Sequence, residues 1–343
     1  MMARSIFTKS LMAISVVLLI YITVFAQDAG TLKFNDDGTF KIVQFTDIHW
    51  KNESPKNSAL LGLMSGILDI EQPDMAVYTG DIITSEPAQK GWQTIVRPCI
   101  ERKIPWAVTL GNHDDEHDLD RIGIISLLEK LPCSTVQAGP SELGESGNYC
   151  IVLKDARGQE NAALVYFLDS NAYTPIEGVG SYGWIEFDQI GWYRQKSAHY
   201  TRLNNDEPLQ ALAFFHIPLP EYTTVWESPD STCIGVKNEE VCAPAINTGM
   251  FAAMLESRDV MGVFVGHDHV NDYIGCLYGL CLAYGRVTGL DAYGDLPRGA
   301  RVIELSEGKR AFKSWIRTEN SERINEIHFP GSFGNMIPQP SEQ

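Results

Sequence analysis

The sequence predicts an α/β fold built on parallel strands, and three observations carry that prediction. Short runs rich in β-branched and aromatic residues alternate with segments whose apolar residues recur at helical spacing, the pattern of βαβ units. The first three of these runs each lead into a polar loop, as expected where parallel strands direct their carboxyl ends at a common functional edge. No internal repeat, low-complexity tract or linker-like stretch breaks the chain, so residues 27–343 are expected to form one domain.

The first strand is read from Phe40 to Thr46 in FKIVQFT and ends at Asp47. Leu60, Leu63, Met64, Ile67 and Leu68 then mark one apolar face of a helix that Pro73 stops. A second strand, MAVYT, precedes Asp81. Trp92, Ile95, Val96, Cys99 and Ile100 mark another helical face, which Pro98 should kink or shorten because it lacks an N–H and its ring crowds the preceding turn. PWAVTL repeats the strand-then-loop pattern before Asn112. NYCIVLK and AALVYFLDSN read as antiparallel strands, followed by a helix from Asp188 to Leu203. ALAFFH and GVFVGHDH are short buried strands leading to His216 and His267. From Asn271 to Arg317 the runs NDYIGC, LCLAYG, ARVIEL and FKSWIR are expected to close a second sheet.

At the N-terminus, Arg4 and Lys9 precede an apolar run from Leu11 to Phe25, with Val24 and Ala26 at a cleavage position. Residues 1–26 therefore read as a signal peptide; the alternative is a retained membrane anchor, for which the run is short. Export places the mature chain in a secreted, periplasmic or other extracytoplasmic compartment, with no stable membrane span after cleavage. The formal charge of −17 becomes more negative once the two leader cations are gone, which disfavours nucleic acid as a partner. The seven cysteines follow no metal-knuckle spacing. An oxidising compartment permits disulfides, with Cys233/Cys242 and Cys276/Cys281 the nearest pairs, and spacing alone leaves the connectivity open. Asn52-Glu53-Ser54 is a glycosylation sequon.

The chemistry lies in an ordered set: Asp47-Ile48-His49, Gly80-Asp81, Gly111-Asn112-His113-Asp114, His216, and Gly266-His267-Asp268-His269. Taken singly, most of these pieces are ordinary; a Gly-Asp turn or a histidine on an apolar strand is more often structural than ligating. Taken together, they put carboxylate, imidazole and amide donors at five strand ends, and they use five of the eight histidines. Such a donor set suits borderline metals, and a bridging carboxylate lets two ions sit about 3.5 to 4 Å apart.

The order D-x-H, G-D, G-N-H-D, H, G-H-x-H resembles the calcineurin-like metallophosphoesterase superfamily. FHIPLPE at Phe215 to Glu221 and FVGHDHVND at Phe264 to Asp272 resemble its purple acid phosphatase-like branch, of the plant type 28/29 and yeast dosage-dependent cell-cycle regulator kind. The resemblance implies a four-layer α/β/β/α sandwich of two mixed sheets flanked by helices. It implies that Asp47, His49, Asp81 and His269 hold one metal and that Asp81, Asn112, His216 and His267 hold the other. His113 would face the substrate phosphate, with Asp114 orienting its ring, and the nucleophile would be a metal-bound hydroxide. The metals would be two divalent or mixed-valence ions (Mn, Fe or Zn), and the substrate a small phosphorylated molecule.

Within that resemblance the chain departs from the purple enzymes. Their G-D-x-x-Y tyrosinate is replaced by Thr84, and the first motif carries His49 instead of glycine, so the protein is expected not to be purple; Tyr78 is the alternative phenolate. Tyr182, Trp184, Arg286, Tyr293 and Arg298 are candidates to line the cleft, packing or ordinary surface being the commoner use of such residues. Arg286 is the first choice for a phosphate clamp. Phosphomonoester hydrolysis leads the functional reading. Phosphodiester or nucleotide hydrolysis on the same site is the alternative, and a catalytically silent binding protein is the reading of a different class. An amide or lactam hydrolase would show an H-x-H-x-D-H cluster on one loop, which is not found.

Overall fold

The computed structural model describes residues 30–144 and 146–336; the expected signal peptide, residues 1–26, lies outside them. Two mixed sheets are flanked by helices. The first contains β1 (Thr39–Phe45), β2 (Met75–Thr79), β3 (Trp106–Thr109), β11 (Gly299–Ser306), β12 (Phe312–Thr318) and β13 (Arg323–Phe329), in the order β13-β12-β11-β1-β2-β3. The second contains β4 (Tyr149–Lys154), β5 (Asn161–Phe167), β6 (Gln210–Phe214), β7 (Cys233–Ile234), β8 (Val260–Val265), β9 (Ile274–Leu277) and β10 (Leu280–Tyr284), in the order β4-β5-β6-β8-β10-β9-β7. β1, β2 and β3 are mutually parallel, as are β5, β6, β8 and β10. Strands such as MAVYT and VMGVFV are buried at every residue, because each of these sheets is covered on both faces.

An aromatic ladder joins the sheets. Tyr149, Phe167, Phe214, Phe264 and Phe312 follow one another at centroid distances of 4.6, 5.6, 5.3 and 5.9 Å, and the last step crosses from β8 to β12. Each such pair contributes about 0.5–1.5 kcal/mol beyond its buried area. On one outer side, α1 (Asn57–Glu71) buries Leu60, Met64, Ile67 and Leu68, with α2 (Ala88–Ile95), α3 (Arg97–Arg102) and α4 (Arg121–Leu128) beside it. On the other, α5 (Phe187–Leu203), α6 (Glu221–Glu227) and α7 (Met250–Ser257) pack Trp192, Tyr193, Tyr222 and Met254 over Tyr166, Ala211 and Val263. A capping box between Glu186 and Gln189 starts α5, one residue before the expected Asp188.

Several expectations are sharpened or corrected here. Pro98 ends one helix and opens another, so α2 and α3 meet at Val96 where a single kinked helix was expected. The late strands do not all close a second sheet: β9 and β10 do, whereas β11 and β12 cross to the first, and β11 pairs antiparallel with β1 from Thr39↔Ser306 onward. Alternating apolar residues report that a strand is half-buried or buried, not which sheet receives it. Cys276 and Cys281 form a disulfide directly across the β9–β10 hairpin, which turns through Tyr278 (φ 51°) and Gly279 (φ 83°). Cys233 and Cys242, the other suggested pair, are both free thiols. The sequon residue Asn52 already spends its amide nitrogen on the carbonyls of Glu86 and Pro87.

Candidate metal centre

The carboxyl ends of β1, β2 and β3 in one sheet and of β6 and β8 in the other lead to a common site, each strand contributing side chains from its first loop residues. Two groups of donor side chains lie there. Asp47, His49 and His269 form one, Asp81, His216 and His267 the other, and within each group the ligating atoms lie within 4.8 Å of one another. Asp81 Oδ2 lies 3.2 Å from His216 Nε2 and 3.8 Å from His49 Nε2, so this carboxylate faces both groups. Asp47 Oδ1 lies 3.4 Å from His269 Nε2.

The backbone is strained to bring these donors in. Asp47, His49, Asp81 and His267 have φ of 52°, 48°, 53° and 81°, the left-handed region that side-chain-bearing residues rarely adopt. The glycines nearby serve close approach. A Cβ on Gly111 would lie 2.2 Å from Asp81 Oδ1, and one on Gly266 would lie 2.0 Å from Thr46 Oγ1. Gly289 is equally tight against the Ile48 carbonyl, at 2.0 Å.

The donor set fits metal ions on its own evidence. His49 Nε2 and His269 Nε2 face each other at 3.1 Å, and His267 Nδ1 faces His216 Nε2 at 3.3 Å. His216 Nδ1 donates to the Thr79 carbonyl at 2.7 Å, which fixes the ring with Nε2 toward Asp81, the nitrogen that would ligate once a cation displaced its proton. Asn112 Oδ1 is buried without a hydrogen-bond partner, as are His267 Nε2 and His269 Nδ1. An orphaned amide oxygen, together with imidazole nitrogens that face one another at 3.1 and 3.3 Å, is costly inside a protein unless a cation sits among them.

The charges agree. Burial raises the carboxyls of Asp47 and Asp81, but the surrounding imidazoles overcome it and hold both below the ordinary carboxylate range. Burial also opposes a charged His216, yet the Asp81 carboxylate prevails and pushes it up to about 9. The same burial, reinforced by neighbouring imidazoles, drives His49 down to about 4 and His267 down to about 3, so both are neutral, ligating forms at physiological pH.

His113 lies at the edge of this centre. Its backbone N–H donates to Asp81 Oδ1 at 2.9 Å, and its ring is 5.7 Å from that of His49. The expected partnership with Asp114 is not what the structure contains. Asp114 turns inward, fully buried, and its carboxylate accepts the backbone N–H groups of Asp81, Ile82, Ile83 and Gly111 at 2.8 to 3.1 Å, lacing the β2 loop to the β3 loop. The ring of His113 instead donates through Nδ1 to Glu116 Oε2 at 2.8 Å. Burial would lower the pKa of His113, but the Asp81 and Glu116 carboxylates leave it above its ordinary value. Glu116 also accepts from the Tyr173 hydroxyl at 3.2 Å, and that hydroxyl accepts from Asn112 Nδ2 at 3.1 Å, which occupies the amide nitrogen and leaves the buried Asn112 oxygen without a partner. The sequence offered three acidic residues after His113, and only the turn of the loop selects the third.

Other candidates are resolved similarly. Arg286 is buried in an ion pair with Asp272 and donates to the Pro297 carbonyl, so it is not free to clamp a phosphate. Arg298 is spent on the carbonyls of Ala292, Tyr293 and Gly294. Tyr182 sits edge-on to His267 with ring centroids 4.5 Å apart, and Tyr293 stacks on His269 at 4.0 Å. Trp184 lines a side pocket with Ile217 and Leu219. The Tyr78 hydroxyl is buried against the Ile95 carbonyl and Cys99, engaged away from the donors. His199 and His328 are exposed, and His117 is partly so.

A family model, calcineurin-like phosphoesterase, matches residues 40–271, which take in every one of these donors. The chain belongs to the calcineurin-like phosphoesterase family. Within it, the chain is 35% identical over 317 residues to probable inactive purple acid phosphatase 29 of Arabidopsis thaliana, covering 83% of this chain and 81% of that one. It is 32% identical over 331 residues to phosphatase DCR2 of Saccharomyces cerevisiae, covering 86% of this chain and 56% of the yeast protein. Among solved structures, a dimetal phosphatase from Danio rerio superposes with a TM-score of 0.57 at 13% identity, covering 84% of this chain and 98% of that chain, a likeness of fold alone. As a calcineurin-like metallophosphoesterase, the chain has a donor set that implies divalent metals.

Proposed function

We propose that this phosphoesterase is a two-metal phosphomonoesterase, exported and cleaved after its leader, with residues 27–343 as one working domain. The observation that carries the reading is Asp81, a single carboxylate turned toward both donor groups with His113 attached to it through the backbone. Asp47, His49, Asp81 and His269 would hold one ion, and Asp81, Asn112, His216 and His267 the other. Bound there, the ions supply charge neutralisation for the phosphate and a lowered pKa for water. The protein residues do the rest. His113, protonated and held at Nδ1 by Glu116, has Nε2 left to give a proton to the departing alkoxide. Tyr173 keeps the amide of Asn112 in its ligating orientation.

Three relatives carry the word inactive in their names, which would favour the silent-binding alternative. Against it, every donor position is filled in this chain, and His113 has a carboxylate partner. The Cys276–Cys281 disulfide supports an oxidising, extracytoplasmic compartment. The buried engagement of Tyr78 supports a centre without a phenolate, and so a colourless enzyme with Mn, Zn or Fe(II).

The test is to chelate the mature protein, add back Mn, Fe or Zn singly, and assay an aryl phosphate monoester beside its bis-aryl diester. Metal-restored turnover of the monoester in preference to the diester is expected. Diester preference would favour the alternative reading, and no turnover with two metals bound per chain would leave the silent reading standing.

A further inference from the structure

A run of aromatic and imidazole rings passes along the donors. Passing from neighbour to neighbour, centroids are separated by 4.8 Å from His269 to His49, 5.7 Å to His113, 6.5 Å to Tyr173, 6.1 Å to Tyr182 and 4.5 Å to His267. Tyr293 extends this run outward by stacking on His269. The histidines belong to the centre, but the tyrosines are additions whose rings reach solvent: Tyr173 is 47% exposed and Tyr293 is 56% exposed. A lone exposed tyrosine asks for no explanation. Three converging on one charged centre form an apolar rim.

That rim is built and held. Tyr173 and Tyr182 face each other across a two-stranded loop closed by Thr174 N–H to the Ser181 carbonyl and Gly183 N–H to the Ala172 carbonyl, both 3.0 Å. The Tyr293 hydroxyl donates to Glu239 at 2.8 Å, and Arg298 grips the carbonyls on either side of it. Rings fixed in advance lose little entropy when a flat group lies on them.

The charges around the rim point the same way. Glu116 and Glu239 stand beside Tyr173 and Tyr293, while Arg121, Arg286 and Arg298 are turned inward onto Asp169, Asp272 and backbone carbonyls. A second anionic group on the substrate would meet carboxylates here and no free guanidinium from these three.

Resting on the phosphomonoesterase reading above, we infer that the preferred substrates are phosphate monoesters of aromatic alcohols that carry no further negative charge, the ring of the alcohol lying against Tyr182 and Tyr293. This selects among monoesters by the alcohol portion. It disfavours nucleotides, bisphosphates and acidic phosphopeptides.

The test compares 2-phenylethyl phosphate with n-hexyl phosphate, whose alcohols are of similar acidity, so that leaving-group chemistry does not decide the result. A third ester carries a carboxylate on the phenyl ring. The metal-loaded enzyme should favour the phenylethyl ester over the hexyl ester by about fivefold to tenfold in kcat/KM, expressed in KM, as expected for ring contacts worth that factor. The ring carboxylate should remove most of that advantage. Tyr182→Leu and Tyr293→Leu, checked for unchanged metal content, should each narrow the preference, read as the ratio of kcat/KM for the two esters within each variant so that any loss common to both esters cancels. Calorimetric binding of 2-phenylethylphosphonate against hexylphosphonate gives the same comparison without turnover.

Equal kcat/KM for the two esters, or a preference untouched by both leucine variants, overturns the inference while hydrolysis of both leaves the phosphomonoesterase reading intact. If neither ester is hydrolysed, that reading fails, and the phosphonate pair alone decides whether the ring preference stands.

Discussion

His113 and Asp114 are adjacent, and their side chains do opposite work. His113 is half-exposed with Glu116 at Nδ1, so His113→Ala should leave two metals bound and lower turnover of an alkyl ester by about 10²- to 10⁴-fold. Elemental analysis alongside steady-state rates checks both halves, and an unchanged rate on a poor leaving group would remove His113 from the mechanism. Asp114→Ala should behave quite differently. Four backbone N–H groups lose their acceptor inside the protein, and with each unsatisfied donor costing about 1–3 kcal/mol, a destabilisation of roughly 3 kcal/mol or more is expected. Urea unfolding should show it, together with loss of bound metal; parent-like stability with only a rate defect would contradict the bracing role. The expectation that Asp114 orients His113 came with the family resemblance, carried onto two residues adjacent in sequence. Side-chain direction in a tight loop is set by backbone angles that adjacency does not reveal.

The loops after β1, β2, β3, β6 and β8 carry the centre, and their conformation is imposed by what packs behind them. Gly289 is the clearest case: its Cα lies so close to the Ile48 carbonyl that any Cβ must push the loop bearing Asp47 and His49. Gly289→Ala is therefore expected to bind fewer than two metals per chain and to melt lower than the parent, with metal counting and thermal unfolding as the measurements. A variant with full metal content would show that the loop yields freely. Much of this architecture was legible beforehand. α1 was readable by its helical periodicity and β1 and β2 as short β-branched and aromatic runs, and the residues that converge were readable because each follows a buried apolar run. Glu116, Tyr173 and Gly289 were not. Their parts depend on which loops meet in space, and Tyr173 reaches Asn112 across 61 positions of sequence. Likewise the crossing of β11 and β12 into the first sheet left no mark in their alternating residues.

Across the whole molecule, two buried carboxylates and four strained donor residues are held against repulsion and backbone cost, so ions that bind only the folded state should stabilise it strongly. Ligand present at about a thousandfold above its dissociation constant contributes about 4 kcal/mol. Chelation should therefore lower Tm by roughly 5 °C or more, and add-back should restore it. A Tm indifferent to chelator would argue that the donors do not hold metal in the folded protein. The position of β1 adds something about how such a protein comes into being. It is paired on one side with β2, only a helix away, and on the other with β11, at the opposite end of the chain. All seven donors have been synthesised once His269 has left the ribosome, yet β1 then still presents one bare edge, open to pairing with any stray strand. A message truncated before Gly299 would encode the complete set of ligands and none of the strand that closes the sheet beneath them. Inventory and assembly thus finish at different moments of translation, and only the later one can produce an enzyme.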